Sequence, residues 1–260
     1  MNAIRRSWSR GEVSVGAWHG WVTPLDAERI GRLSYDWVLY DMESSGLDWG
    51  DILPLFQATE LGGTRTMVRV PWNSPSHIMR ALDYGAIGVV VPMVSTPEDA
   101  ARAAGASRFP PLGYRSNAPQ RRPYPSRAAA DEDVVVVAMI ETAQALDNLH
   151  AIAATPGIDV LMIGQVDLAI SLGWLAPDER GINIARDPRC LDALAEVVRA
   201  SARHGKLAGA ATVGASDEEV RTLLELGVAW LGYRPHDAEL EQRERDNVRR
   251  WRVPQASQPE

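Results

Sequence analysis

Eight short apolar runs, each followed by a stretch of helical periodicity, restrict the fold of this chain more than any other feature. The runs are Val13–Trp18, Trp37–Asp41, Thr66–Val70, Gly88–Pro92, Val134–Ile140, Val160–Ile163, Lys206–Ala211 and Ala229–Tyr233. Their charges sit at or beside the ends, as expected of parallel strands covered on both faces. Between them lie the helical segments Asp26–Leu33, Asp51–Leu61, Ser76–Tyr84, Thr96–Ala104, Thr142–Ala154, Asp187–His204, Ser216–Leu226 and Asp237–Trp251. Thr96-Pro97-Glu98-Asp99 and Ser216-Asp217-Glu218-Glu219 each put a capping hydroxyl ahead of acids that suit a helix amino end. Gly85, Gly205 and Gly227 follow the last periodic residue of their segments, where a left-handed turn ends a helix.

Eight strand-then-helix units predict an α/β fold of the (β/α)8 TIM barrel type. A single domain over residues 1–260 is expected, with 237–260 forming a C-terminal helix and tail. Its 260 residues, 45% of them hydrophobic, supply enough core for one undivided barrel. The competing architecture is a doubly wound open sheet, but no Gly-x-Gly-x-x-Gly follows the first run. One segment breaks the alternation. Phe109–Asp133, with Pro110, Pro111, Pro119, Pro123 and Pro125, reads as a long loop and is expected on the active face. The end of the chain, Val253–Glu260, reads as a frayed tail.

A net charge of -7 without a sustained Lys/Arg stripe argues against nucleic acid as a partner. Arg115, Arg121, Arg122 and Arg127 cluster locally, either as an anion site or as part of a solvated loop. The one cysteine, Cys190, excludes a disulfide framework and a cysteine-based metal centre, and reads as a helix or core residue. Neither a signal segment nor an apolar run of membrane-spanning length is visible, so a cytoplasmic protein with no membrane association is expected.

In a barrel the carboxyl ends of the strands carry the chemistry. The residues nominated are Trp18, His19, Asp41, Glu43, Ser44, Arg69, Pro92, Glu141, Asp167, Ala211, Tyr233 and Arg234. Glu141 and Asp167 stand out because each ends an apolar run. Taken singly, either could be an ordinary helix-starting acid. As a pair with no Cys or paired His nearby, they suit a hard divalent cation such as Mg2+ or Mn2+, with Co2+ and Zn2+ as further options. Arg69 offers a fixed fork of donors beside that site, suited to an enolate oxygen or a carboxylate. The alternative for Arg69 is a structural ion pair with Asp41 or Glu43. Backbone amides at Gly164, Val166 and Asp167 would lie next to the metal.

Five ordered motifs then carry a resemblance: Val68-Arg69-Val70-Pro71-Trp72-Asn73, Val91-Pro92-Met93-Val94, Phe109-Pro110-Pro111-Leu112-Gly113-Tyr114-Arg115, Ile140-Glu141-Thr142 and Ile163-Gly164-x-x-Asp167-Leu168. Across Val13 to Tyr233 the chain resembles the HpcH/HpaI aldolase family, the metal-dependent class II pyruvate aldolases. The resemblance implies a barrel of the phosphoenolpyruvate/pyruvate-domain type. It also implies a homo-oligomer, hexamer or trimer, whose last helix packs on a neighbouring subunit. Glu141 and Asp167 would hold the metal, which chelates a 2-oxo acid. Arg69 would stabilise the enolate, and the backbone at Val166 and Asp167 would receive the substrate carboxylate. Trp18 and Ala211 complete the substrate-binding set.

The departures are specific. Family members read Asp-x-Glu-His after the second strand, with that His as base; here the segment is Asp41-Met42-Glu43-Ser44. Asp83 matches the aspartate that supports the imidazole, and survives without it. Met139 stands where the family has a glutamine, and Gln165-Val166 replaces Pro-Ala or Pro-Asn. Serine does not titrate near neutral pH, so base work must move elsewhere or be lost. His19, at the end of the first strand, is the sequence's best replacement, with a surface-loop histidine as the alternative.

The expected function is a metal-dependent carbon–carbon lyase. It would cleave a hydroxy-2-oxo acid to pyruvate and an aldehyde or ketone through an enolate at the metal. Two alternatives remain: decarboxylation of an oxaloacetate-type diacid, which needs no base to start, and a non-catalytic protein that only binds oxyacids. A coenzyme A thioester lyase of the citrate lyase type would need an adenine-binding basic patch that the sequence does not display. Trp18, Trp21, Trp49 and Trp72 either shape an apolar acceptor pocket or pack in the core.

Overall fold

The computed structural model describes residues 2–234 apart from 119, 177 and 180. Eight parallel strands close into a barrel in sequence order, with every strand paired to its neighbours and β8 returning to β1. They are β1 Ser14–His19, β2 Trp37–Asp41, β3 Thr66–Arg69, β4 Gly88–Val91, β5 Val135–Ile140, β6 Val160–Ile163, β7 Leu207–Val213 and β8 Val228–Arg234. All eight apolar runs became strands, shifted by no more than a few residues at their ends. The helices are α1 Ala3–Ser9, α2 Pro24–Gly31, α3 Trp49–Gly62, α4 Pro75–Asp83, α5 Pro97–Ser107, α6 Arg127–Asp133, α7 Ala143–Asp147, α8 Leu149–Ala154, α9 Gln165–Ser171, α10 Pro188–Arg203 and α11 Asp217–Leu226. Thr96 and Ser216 form the capping boxes that their neighbours suggested. The expected helix Asp237–Trp251 and the rest of 237–260 lie outside the described residues.

The strand alternation sorts the core into two populations. Val38, Tyr40, Val68, Val89, Val91, Val136, Ala138 and Leu161 face the helices. Leu39, Met67, Val90, Val135, Val137, Met139, Val160 and Met162 fill the barrel together with Trp18, Trp37 and Trp230. Trp37 and Trp230 stack at 4.3 Å with ring planes 7° apart, and Trp18 meets Trp230 edge-on at 6.3 Å. Gly16 makes room for them: a Cβ there would lie 2.0 to 2.2 Å from the Trp37 ring.

Three features depart from the sequence reading. The segment Thr142–Ala154 is not one helix but two, α7 and α8, meeting at Asn148, whose side chain donates to the Ser95 carbonyl at 2.9 Å. Helices α1 and α6 fall outside the expected helical segments, and α9 was foreseen only as the helix that Asp167 would start; each has seven residues, too short for a clear period. The largest correction concerns residues 109–133. This segment joins the end of α5 to the start of β5, so it runs under the amino ends of the strands and not over the active face. Its arginines hold it there. Arg115 is buried and pairs with Asp83 at 2.8 Å, Arg121 forks onto Glu60 at 2.7 and 3.0 Å, and Arg122 pairs with Asp133 at 3.3 Å. Neither the anion site nor the solvated loop describes these three: they are structural ion pairs.

Helix α1 closes the same end. Ile4 is fully buried against the barrel-filling cluster, Asn2 donates to the Asp133 carbonyl, and Arg5 pairs with Asp159 at 2.9 Å. With its amino end plugged, the barrel is left to receive small molecules at its carboxyl end. Cys190 is buried in α10. No helix among the described residues is long and apolar enough to cross a membrane.

Gly16→Ala is expected to lower stability by about 1–3 kcal/mol, the usual cost of overpacking a core. Chemical denaturation would measure it, and pairing the change with Trp37→Leu should recover part of the loss, since the two side chains compete for one space.

Candidate active site

Period-two alternation carries Trp18, Asp41 and Arg69 from the barrel-filling faces of β1, β2 and β3 to the carboxyl rim, with Glu141 one residue past β5. Arg69 is the centre. Its Nε donates to Asp41 Oδ1 at 2.7 Å, and its NH2 reaches Asp41 Oδ2 and the Ser44 hydroxyl, the latter at 2.9 Å. Its NH1 meets Glu43 Oε2 at 2.5 Å. Trp18 lies 5.2 Å below the guanidinium and donates its indole N–H to Asp41 Oδ2 at 3.3 Å. The backbone N–H groups of Glu43 and Ser44 turn back onto Asp41 Oδ1 at 3.0 and 3.3 Å. Arg69 therefore does make the ion pairs with both Asp41 and Glu43, and a role toward substrate has to coexist with them.

Burial opposes ionisation of both partners in this knot, and their contact overrides it. Asp41 would rise through burial, but Arg69 holds its carboxyl below the usual range. Arg69 would fall through burial, and its bond to Asp41 keeps it raised. Glu43 ends on the other side of the balance: burial lifts its carboxyl, with Arg69 opposing and the charges of Asp41 and Asp167 adding to the rise.

Glu141 is 1% exposed. Its Oε1 accepts the Met93 N–H at 2.6 Å, a bond presented by a Met93 backbone at φ 54, unusual for a residue with a side chain. Its Oε2 is buried without a hydrogen-bond partner. Burial pushes this carboxyl up to about 7, with Met93 opposing and the charges of Glu43 and Asp167 reinforcing. Asp167 is exposed, in the first turn of α9, within electrostatic reach of Glu141 and Glu43. Gly164 lies against Glu141. A Cβ at Gly164 would fall 2.5 Å from Glu141 Oε2, so only glycine leaves that oxygen its place.

An orphaned buried carboxylate oxygen among other acids fits a cation, and the all-oxygen donors fit a hard one. Among the described residues no three His, Cys, Asp or Glu side chains gather into a metal site. Glu141 and Asp167 would then share the ion with water and substrate, as Mg2+ commonly requires.

Two residues nominated from the sequence lie elsewhere, and the reason is geometric. His19 ends β1, but the alternation that sends Trp18 inward sends His19 outward, toward Asp26 and Arg29 of α2. It does not point into the barrel mouth, so it cannot stand in for the missing imidazole as base. Asp83 ends α4, at the amino face of the barrel, where it pairs with Arg115; within this chain it is far from Ser44. Ser44, Val166 and Ala211 do lie at the rim. The Ala211 carbonyl accepts from the Gln165 side chain at 3.2 Å. The residue that sequence reasoning missed is Met93, whose contribution is a backbone N–H and leaves no signal in side-chain chemistry. Of the four tryptophans, Trp18 is buried and Trp49 half-buried, while Trp21 and Trp72 are exposed.

The sequence profile of the family described as HpcH/HpaI aldolase/citrate lyase matches residues 15–230. A hydroxypyruvate/pyruvate aldolase from Rhizorhabdus wittichii is 44% identical over 178 residues, 66% of this chain and 70% of that protein. A 5-keto-4-deoxy-D-glucarate aldolase from Shigella boydii is 29% identical over 236 residues, 88% of each chain. The crystal structure of an HpcH/HpaI aldolase/citrate lyase family protein from Burkholderia cenocepacia superposes with a TM-score of 0.82 at 29% identity, covering 97% of this chain and 100% of that one.

Gly164→Ala should displace Glu141 Oε2 and weaken Mn2+ binding about ten-fold or more, the usual scale for disturbing the support of a metal ligand. Calorimetric titration with Mn2+ checks this, with circular dichroism showing that the barrel is retained.

Proposed function

Because this chain belongs to the HpcH/HpaI aldolase/citrate lyase family, we propose that it is a divalent-metal-dependent lyase. It cleaves a hydroxy-2-oxo acid to pyruvate, or a close relative of pyruvate, and an aldehyde or ketone. The observation that carries the reading is the buried Glu141 carboxylate with its unpartnered Oε2, set beside Asp167 and across the rim from Arg69. The pyruvate half is supported by the names of the relatives, which are aldolases of hydroxypyruvate or pyruvate and of 5-keto-4-deoxy-D-glucarate.

Glu141 and Asp167 would hold Mg2+ or Mn2+, whose contribution is to polarise the substrate's carboxylate and keto oxygens and offset the charge of an enolate. The remaining work belongs to side chains of this chain. Arg69 has five N–H donors, and four bonds to Asp41, Glu43 and Ser44 leave one NH1 hydrogen without a partner among the described residues. That donor serves the oxygen on which negative charge grows. Asp41 and Trp18 fix the plane of the guanidinium, so stabilisation needs little reorganisation. The first-turn amides at Val166 and Asp167 receive the substrate carboxylate. Burial of Glu141 and Arg69 keeps water out and strengthens both effects.

One observation favours a second reaction on the same site. Ser44 presents to Arg69 a hydroxyl that does not titrate near neutral pH, and His19 faces away. Loss of carbon dioxide from an oxaloacetate-type diacid forms the enolate without removing a proton, so decarboxylation suits these residues. Assembly as a homo-oligomer, hexamer or trimer, belongs to the same reading, and light scattering of the purified protein checks it.

The decisive measurement is metal-dependent exchange of pyruvate methyl protons in deuterium oxide, together with turnover of oxaloacetate. Glu141→Ala and Asp167→Asn should each abolish both, and Arg69→Ala should lower the rate about 10²- to 10³-fold, the scale of losing an oxyanion donor. Activity that is indifferent to metal and to Glu141→Ala would sink the proposal; tight oxalate binding with neither exchange nor decarboxylation would mark a binding protein. Ser44→His should raise proton exchange about 10²-fold or more and make it titrate in the range of an imidazole, since a positioned general base is worth that much.

A further inference from the structure

Two histidines with no part in the barrel mouth meet on the outer ring of helices. His150 stands in the first turn of α8, and His204, 54 positions later, caps the carboxyl end of α10. His150 Nδ1 lies 3.3 Å from His204 Nε2, with ring centroids 5.5 Å apart and ring planes at 56°. His150 is exposed and His204 half-buried, so water reaches both rings. Their backbones are fixed from beneath. Leu149, Ile152 and Ala153 of α8 share a core cluster with Val197 and Ala200 of α10. Asn148 ties the start of α8 to the Ser95 carbonyl, and the His204 N–H closes the last turn of α10 on the Ala200 and Ser201 carbonyls.

A hydrogen bond between the two rings explains their approach poorly. The separation exceeds the usual N–H bond length of about 2.9–3.0 Å, and a neutral bond in contact with water contributes little. One tetrahedral ion accounts for it better. Two imidazole nitrogens, each about 2.0–2.1 Å from Zn2+ and about 109° apart at the ion, stand about 3.3 Å from one another. We propose that His150 and His204 form a site for a divalent cation of the Zn2+ class, a structural clamp that ties α8 to α10. Each neutral imidazole has one unprotonated nitrogen to offer; the proton between the rings moves to the other nitrogen of its own ring, and the ion takes its place. No third His, Cys, Asp or Glu joins the pair among the described residues, so water fills the remaining positions. Imidazole suits Zn2+, whereas Mg2+ prefers oxygen, so this site and the carboxylates Glu141 and Asp167 select different metals. The clamp is independent of the lyase reading.

Calorimetric titration of Zn2+ into the protein held in excess Mg2+ tests the clamp. His150→Asn and His204→Asn keep a polar side chain and remove the imidazole; each should weaken zinc binding about ten-fold or more, at least the effect of disturbing a ligand's support. His150→Cys, which supplies the other side chain that zinc favours, should recover part of it. Glu141→Ala should leave this binding in place. In the same solutions, Zn2+ at about ten times its Kd should raise the unfolding midpoint of the unaltered protein by about 2–4 °C and leave that of the two Asn variants where it was. Zinc binding that persists unchanged in both Asn variants, or that disappears in Glu141→Ala, places the ion at the carboxylates and overturns the clamp. Absence of zinc binding in excess Mg2+ overturns it as well.

Discussion

The buried pair between Asp41 and Arg69 is the interaction on which the rest of this site depends. Two charges taken from water cost several kcal/mol each unless their geometry and remaining bonds are nearly complete. Here they are nearly complete: both Asp41 oxygens meet the guanidinium, two backbone amides and an indole finish the carboxylate, and Ser44 and Glu43 take further Arg69 donors. The pair joins the ends of β2 and β3, and Trp18 ties β1 to it. Three strands thus aim one fixed guanidinium at the mouth. The same arrangement limits the chemistry, because Arg69 can serve substrate only with the donor the pair leaves over.

The acids opposite Arg69 are held in an unfavourable arrangement. Glu141 is buried, close to Glu43 and Asp167, and bonded through one oxygen only. A fold has no stability reason to keep such a group, and residues that violate the rules of burial tend to mark function. Met93 and Gly164 support it, one with a backbone turned to an uncommon φ and the other by lacking a side chain. The other end of the barrel is built for stability alone. Helix α1 and the segment at 109–133 are fastened there by arginine pairs, leaving the carboxyl rim as the functional face.

Much of the architecture was legible in the sequence. Buried parallel strands are apolar throughout, so eight such runs, each bounded by turn residues and followed by a helical period, led to a barrel with little ambiguity. Glu141 and Arg69 were legible because a charge closing an apolar run must lie at a strand end. Residues 109–133 were misplaced because proline content shows that a segment is a loop and says nothing about which end of the barrel it crosses. Chain order carried that information: the segment follows a helix and precedes a strand, which places it at the amino end. His19 was misjudged for a similar reason. Nomination by strand end ignored the period of two, which sends neighbours to opposite faces.

The sequence by itself determined the alternation of elements, their caps and stops, and the residue types available at each strand end, because these depend on local chemistry and spacing. Only the tertiary structure decided which of those residues meet. It joined Arg69 to Asp41, Glu43 and Ser44, left Glu141 Oε2 without a partner, carried Asp83 away to Arg115, and turned His19 into a cavity with Arg29 and Arg234. The physical reason is closure. Contacts across a barrel depend on strand register and on the face each side chain takes, and those are set when all eight strands pair at once.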